Sequence, residues 1–342
     1  MNARKFFRNY RMPAEWERHD ATWLSWPKNR LTFPEGVLEK VEETFAEIVR
    51  TLSPEEKVNI LVDDGKTEQR VSSFLKDTDN VNFFRIKSQD VWIRDYGPTF
   101  VYNGGISGIK WKFNAWGGKY EELLADDRVA YEIGKQAGIR IVDGGMVLEG
   151  GSIDVNGSGT MLTTEQCLLN ANRNPKMSRT EIESRLNHFL GVEKIIWLKG
   201  GILGDDTDGH IDDVARFISR DVIMCMHEAD VTDANHTALL ENIGILKEST
   251  LADGSSPEIV DLPLPTPSFG DERLPASYAN FYIGNRAVLV PTFHEHKDRT
   301  AIRALKSQFP EREVVGIDCR SLVIGLGTIH CATQQQPFYI SP

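Results

Sequence analysis

The amino-acid sequence predicts an α/β protein built from a recurring unit of helix, strand, loop and hairpin. Three observations carry this reading. Amphipathic segments are each followed by a short apolar strand candidate; two Asn-Gly turns of the kind that close tight hairpins are present; and the turns recur at regular intervals. The turns are Asn103-Gly104, Asn156-Gly157, Ser219-Arg220 and Gly284-Asn285, at intervals of 53, 63 and 65 residues. A repeat of that size marks propeller-like or solenoid arrays.

Helices are expected near 36–52, 66–76, 126–138, 178–190, 232–248 and 297–309. The segment at 178–190 is the clearest. Ser178 and Glu181 have capping-box spacing, Ile182, Leu186, Phe189 and Leu190 share one helical face, and Gly191 closes it. Strand candidates follow at 81–86, 139–142, 194–198, 259–262 and 314–317. The length of 342 residues suits roughly five units, of which four show a complete hairpin. The fifth is expected to be split between the chain ends, a strand at 336–340 pairing with one at 21–26 to close a ring. Spacing alone leaves that ring and an ordinary α/β fold with chance hairpins equally open. The stretch 249–276 holds five of the 15 prolines and reads as an extended loop, a candidate lid. No linker or composition shift divides the chain, so residues 1–342 are expected to form one domain.

Composition narrows the function. Lys plus Arg number 39 against 50 Asp plus Glu, a net charge of −11, with 40% hydrophobic and 26% charged residues. This excludes disorder, and the lack of a basic run argues against a nucleic-acid partner, whose phosphates must be neutralised. A cationic small molecule is favoured. No apolar run is long enough to span a membrane, and the basic stretch 1–13 lacks the apolar core of a secretory signal. The four cysteines form no CxxC pair, so free thiols and a cytoplasmic location are expected. Homo-oligomerisation is left open.

The loops that follow the strands carry a chemical set. DVWIRDYGPTF holds Asp90, Trp92, Arg94 and Asp95; LEGGSID holds Glu149; GDDTDGHIDD holds Asp206, Asp208, His210, Asp212 and Asp213; and GLGTIHCATQQQP holds His330 and Cys331. Asp95, Glu149, His210 and Cys331 are separated by 54, 61 and 121 residues, about one, one and two repeats. A cysteine with a distant histidine is a candidate nucleophile and base. Carboxylates beside a thiol suppress the thiolate unless something positive offsets them, and a guanidinium matches paired carboxylates through its fork of N–H donors.

Blander readings stand beside these. Cys225 lies in an apolar run and reads as core, and Cys167 and Cys319 read as structural. His294 and His296 resemble a metal pair, though a solvated loop is the stronger reading. The aspartates at 205–213 could form a cation site or a solvated turn; the intervening His210 favours catalysis. Trp92 and Trp116 are equally core aromatics or walls along an alkyl chain.

With these residues in view, the sequence resembles the agmatine deiminases grouped with the bacterial, Porphyromonas-type peptidylarginine deiminases, in the guanidine-modifying superfamily. The resemblance covers essentially the whole chain. It runs through MPAEWERHDATWLSWP at 12–27, WIRDYGPTF at 92–100, FNAWGGKY at 113–120, EGGSIDVNG at 149–157, DTDGHIDD at 206–213, LPASYANFYI at 274–283 and IHCATQQQP at 329–337. It implies a five-bladed α/β propeller of ββαβ modules, the pentein fold, closed by the chain termini. It also implies that Cys331 attacks the guanidinium carbon, that His210 protonates the departing ammonia and then activates water, that Asp95 and Asp212 grip the guanidinium, and that Glu149 orients His210. The intermediate would be an S-alkylthiouronium, with neither metal nor organic cofactor. Asp90, Trp92 and Trp116 are further substrate-binding candidates.

Two departures bear on substrate fit: Gly325-Leu326-Gly327-Thr328-Ile329-His330-Cys331 stands where the family usually shows GGGNIHC, and residues 293–298 lack the usual Gly-Asp turn. The acid-rich loops favour agmatine, giving N-carbamoylputrescine on the route to putrescine, over peptidyl-arginine. An amidinotransferase, a metal-dependent hydrolase built on His210, Asp212, His294 and His296, and a silent binding scaffold are the rival functions.

Overall fold

Four stretches of the chain repeat one construction: a tight hairpin, a helix, and a strand that returns parallel to the hairpin's second strand. The computed structural model describes residues 10–270 and 272–339. In the first repeat Thr99–Tyr102 pairs antiparallel with Ile106–Lys112, helix Val129–Ala137 follows, and Arg140–Val147 returns in parallel. The second uses Asp154–Val155, Thr160–Thr164, helix Arg179–Leu190 and Lys194–Leu198. The third uses Ala215–Phe217, Val222–His227, helix His236–Glu248 and Glu258–Pro263. Tyr282–Ile283, Ala287–Thr292, helix Asp298–Gln308 and Glu313–Asp318 make the fourth.

The remaining sheet joins the two ends of the chain. Gln334–Pro337 runs antiparallel to His19–Ser25, with Thr22 opposite Gln335 and Trp23 opposite Gln334. Helix Leu38–Leu52 then leads to Lys57–Val62, parallel to His19–Ser25, and helix Gly65–Phe74 leads to a fourth strand, Val81–Arg85.

The middle strands are covered on both faces, so they read as apolar runs rather than alternations: Ala287–Val290 and Val58–Val62 are buried throughout. The helices supply one side of that cover. Val41, Phe45, Ile48, Val49 and Leu52 form a single buried stripe on Leu38–Leu52. Ser178 caps Arg179–Leu190 through the expected reciprocal capping box, and Gly191, at φ 70°, ends that helix in the left-handed region where a Cβ is penalised.

Three expectations are corrected. Lys57–Val62 is an additional strand that the spacing of apolar segments passed over. The closing strand lies at Gln334–Pro337 instead of 336–340: its glutamines find buried partners, Gln335 Oε1 accepting from Arg94 Nη1 at 2.6 Å and Gln336 Oε1 from Trp23 Nε1 at 2.9 Å. Ile340 and the basic stretch 1–9 lie outside the described residues. The proline-rich stretch is not one loop, since it contains Glu258–Pro263 and a small hairpin of Ser268–Phe269 with Glu272–Arg273, and it contributes nothing to the lining of the cavity described below. Among the described residues no helix is long and apolar enough to cross a membrane.

What matters for function is where each repeat hands over to the next. Five segments join the last strand of one sheet to the first strand of the following hairpin, and they carry Asp95, Glu149, His210 with Asp212, Asn280, and His330 with Cys331.

Candidate active site

Short helical turns in these junctions aim the side chains. Asp95 sits in the single turn Ile93–Tyr96, Glu149 directly precedes the turn Gly150–Ser152, and His210 precedes Ile211–Asp213. All are buried: Glu149, His210 and Asp212 have no exposed surface, Asp95 is 5% exposed and Cys331 7%.

The side chains converge around His210. Its Nδ1 lies 3.8 Å from Asp95 Oδ1 and 4.0 Å from Asp212 Oδ1, and its Nε2 lies 3.9 Å from Glu149 Oε2. These are charge contacts too long for hydrogen bonds, so both ring nitrogens, Glu149 Oε2 and Asp212 Oδ1 are buried without hydrogen-bond partners. Burial alone would push the His210 imidazole down, but Asp95, Cys167 and Glu149 around it raise it well above the ordinary histidine range. Gly151 makes the cluster possible: a Cβ there would stand 2.6 Å from His210 Nδ1 and 3.0 Å from carboxylate oxygens of both Asp95 and Asp212.

Each carboxylate is held from behind. Burial raises Asp95 to about 6, although its Oδ1 accepts from Gly151 N–H and its Oδ2 from Trp116 Nε1, each at 2.9 Å. Burial likewise opposes ionisation of Asp212, yet the 2.6 Å contact with His330 Nδ1 and the charge of His210 hold it below the usual carboxylate range. Glu149 Oε1 accepts from Arg173 Nε at 2.8 Å, and His210 and Arg173 together outweigh its burial and lower it. Arg173 is in turn fixed by Asp208 at 2.6 Å and by the carbonyl of Thr207 at 2.7 Å.

Behind His330 lies a second layer of charge. His330 Nε2 stands 2.9 Å from Glu15 Oε2, and Glu15 also faces Arg216 Nη2 at 2.9 Å and Arg94 Nη2 at 3.3 Å. These cations hold Glu15 well below its ordinary value despite complete burial.

Cys331 Sγ lies 3.7 Å from Asp212 Oδ2 and 3.1 Å from Asn280 Nδ2. Burial first, then Asp212, Asp213 and Asp95, push its thiol well above the usual range. A neutral thiol among carboxylates suits a site whose missing charge arrives as a cation.

The sulfur opens into a cavity of about 190 Å³ lined by Asp90, Trp92, Asp95, Trp116, Tyr120, Glu122, Asp206 and Leu326, among others. Trp92 and Trp116 are thus both packed, 5% and 6% exposed, and walls of this cavity. Asp90, raised to about 6 by burial, accepts from Thr32 Oγ1 and from the Val91 N–H. No lysine or arginine lines the cavity among the described residues.

Two sequence readings change. Glu149 does not hydrogen-bond His210; it faces the ring at 3.9 Å. Cys167 is not merely core, because its sulfur and ligand atoms of Glu149 and His210 all lie within 4.8 Å of one another. This trio is one of two such groups among the described residues, the other being Asp212, Asp213 and Cys331, and in the first the 3.9 Å N···O separation exceeds the ~3.3 Å that two ~2.0 Å bonds span at a tetrahedral zinc. His294 and His296 are exposed, in keeping with the solvated-loop reading, with His294 3.4 Å from Asp318, and neither lines the cavity. Cys225 and Cys319 are fully buried core. Sequence reasoning missed Glu15, Gly151, Arg173 and Asn280. Glu15, Gly151 and Asn280 sit inside segments already singled out, and a fully buried Glu149 required some cationic partner without indicating which.

A family model described as Porphyromonas-type peptidyl-arginine deiminase matches residues 11–337. The chain belongs to this family. It is 38% identical to the agmatine deiminase of Pseudomonas aeruginosa (strain LESB58), across 96% of this chain and 95% of that one. The solved structure of the Enterococcus faecalis agmatine deiminase superposes with a TM-score of 0.90 at 33% identity, covering 96% of each chain. An amidinotransferase from Microseira wollei, 14% identical over 94% of this chain and 95% of that one, shares the fold at a TM-score of 0.53. The architecture is the α/β pentein fold.

Proposed function

We propose that the protein is an agmatine deiminase, a hydrolase that cleaves a guanidinium C–N bond through a cysteine adduct. The observation that carries this reading is the cavity: Cys331 and Asp95 share it with indoles and further acids, and no cationic side chain lines it among the described residues. An amine-tailed guanidine is thereby favoured over free arginine, whose carboxylate would meet only repulsion. A volume of about 190 Å³ suits a small molecule better than a peptide. The many agmatine deiminases related along nearly the full chain support the same substrate.

In this reading the four repeats and the sheet that joins the chain ends are the blades of one closed ring and one domain, with the junction loops gathered at its axis. The guanidinium enters between Asp95 and Asp212, whose open Oδ1 accepts an N–H, and its charge offsets the carboxylates that oppose thiolate formation. As the guanidinium binds, the Cys331 thiol gives up its proton to solvent, and Sγ then bonds to the guanidinium carbon as one C–N π pair moves onto nitrogen. The C–N bond to a terminal nitrogen then breaks as His210 delivers a proton, and ammonia leaves. His210 next takes a proton from water attacking the thiouronium carbon; the C–S bond breaks, releasing the ureido product and the thiol. Glu149, anchored by Arg173, stabilises the imidazolium by charge. Asp90, Asp206, Trp92 and Trp116 receive the alkylammonium tail.

Ammonia and ureido product measured from agmatine, free arginine and a blocked arginine peptide test this directly. Product from agmatine with wild type and none with Cys331→Ala is expected. Equal product from both proteins, or a preference for the peptide, contradicts the proposal.

A further inference from the structure

Cys331 is surrounded by groups that disfavour its thiolate, and before substrate binds no lysine or arginine lines the cavity it faces among the described residues. One side-chain donor touches the sulfur. Asn280, fully buried in the junction before Tyr282–Ile283, places Nδ2 3.1 Å from Sγ and 3.1 Å from Asp213 Oδ1.

Which end of an amide carries the donors is normally ambiguous, and here the neighbours decide it. The other end of Asn280 faces the backbone N–H of His330 at 3.0 Å, the backbone N–H of Cys331 at 3.4 Å and the Thr328 hydroxyl at 2.7 Å. Two of these are obligate donors, so the atom they meet is the carbonyl oxygen. The NH₂ therefore points at the sulfur, and its two hydrogens are divided between Sγ and Asp213. Thr328 is the only one of the three partners that acts through a side chain, and it stands in the loop where this chain departs from GGGNIHC.

We propose that Asn280 is a further catalytic residue, donating a hydrogen bond that stabilises the Cys331 thiolate, and that Thr328 is the positioning residue that locks the amide in the donating orientation. A preorganised donor aimed at a developing anion costs no reorganisation when charge forms. The substrate cation would then complete what Asn280 begins. This rests on the deiminase reading for its role in turnover, but the state of the sulfur can be measured without turnover.

The test is the pH dependence of Cys331 alkylation by iodoacetamide, followed by mass spectrometry of the Cys331 peptide in the full chain without substrate, together with kcat and KM for agmatine. Asn280→Asp keeps the acceptor for the two N–H groups and removes the donor but adds a carboxyl beside Asp213 and the thiol, so its displacement is read together with Thr328→Val, which adds no charge. Thr328→Val removes the hydroxyl at nearly constant shape, and Thr328→Ser restores it; thermal melts verify that each variant is folded. Expected are an alkylation profile displaced to higher pH and kcat reduced about 10²–10³-fold in Asn280→Asp, with KM changed by less than about threefold. A displacement in the same sense with roughly tenfold lower kcat is expected in Thr328→Val, reversed in Thr328→Ser. A folded Asn280→Asp protein with the wild-type alkylation profile and kcat overturns the proposal, as does Thr328→Ser behaving like Thr328→Val. If Asn280→Asp does not fold, the two Thr328 variants decide. A wild type that releases no ammonia from any guanidine counts against the deiminase reading and leaves the alkylation shift to judge this one.

Discussion

His210 and His330 are both buried imidazoles facing carboxylates, yet they are held in opposite ways. His330 is clamped at both nitrogens, 2.6 Å from Asp212 and 2.9 Å from Glu15, with Arg94 and Arg216 completing the charge behind it. His210 has three carboxylates at 3.8 to 4.0 Å and a hydrogen bond to none. The clamped histidine belongs to the frame, where partners repay desolvation. The unclamped one, with both ring nitrogens unpartnered, is the one the proposed mechanism uses for proton transfer. A buried group without partners is costly unless a ligand supplies them, so the contrast supports the proposal that the guanidinium and the water are received beside His210.

Substitution separates the two roles. His210→Gln is expected to lower kcat about 10³-fold; no hydrogen bond is lost, so its stability cost is confined to the charge contacts with Asp95, Glu149 and Asp212 and should be smaller than that of losing His330. His330→Ala should cost about 3 kcal/mol of stability by leaving Glu15 and its arginines unbalanced, and should lower kcat/KM by about 10²-fold through a loosened Asp212. Denaturant unfolding and steady-state kinetics on both variants check this. A His210 variant as destabilised as the His330 variant would erase the distinction.

Acidity gives a second, smaller handle. Burial raises Asp95 to about 6, so the folded protein binds this proton more tightly than the unfolded chain does. Ionised Asp95 therefore costs stability at neutral pH, and that cost disappears as pH falls through about 6 toward the ordinary carboxylate value. Agmatine, by pairing with the ionised form, should raise the melting temperature more at pH 7.5, about 1.5 units above that midpoint, than at pH 5.0, about one unit below it. kcat/KM should likewise fall as Asp95 becomes protonated, and Asp95→Asn should remove that acidic limb along with most activity. Stabilisation by agmatine that is equal at both pH values would contradict the assignment.

The smallest effect is expected at the cavity wall. Leu326 adopts φ 69°, a left-handed conformation that a side chain pays for by about 1–2 kcal/mol, and it lines the cavity. In Leu326→Gly, relief of that strain is offset by glycine's greater freedom in the unfolded chain and by lost apolar contact, so stability should move by less than about 1 kcal/mol. The wider cavity should improve kcat/KM for bulkier guanidines a few-fold relative to agmatine. Unchanged selectivity would remove Leu326 from the recognition surface.

The sequence made the working half of the site more legible than the frame. Asp95, Glu149, His210, Asp212 and Cys331 stand in short polar motifs at repeat-length spacing, and such clusters advertise chemistry. The frame is built from partners chosen by tertiary contact. Arg173 is a lone arginine 24 residues from Glu149, and Glu15 is 315 residues from His330, distances over which no local pattern operates. The same holds for the fold. Capped amphipathic helices and Asn-Gly hairpins were readable, whereas Gln334–Pro337 is a strand of glutamines whose burial depends on Arg94 and Trp23. Lys57–Val62 belongs to a module divided between the chain ends, so no hairpin before it announces its place.

The central claim is that the unclamped side of the site delivers Cys331 to a guanidinium carbon. Rapid acid quench of the wild-type enzyme with agmatine, followed by mass spectrometry of its peptides, tests it most directly. An adduct equal to agmatine less ammonia, confined to the Cys331 peptide and accumulating in His210→Gln only if ammonia departure survives that change, is the predicted result. Turnover of agmatine with no adduct on Cys331, or an adduct on Cys167 instead, would contradict it.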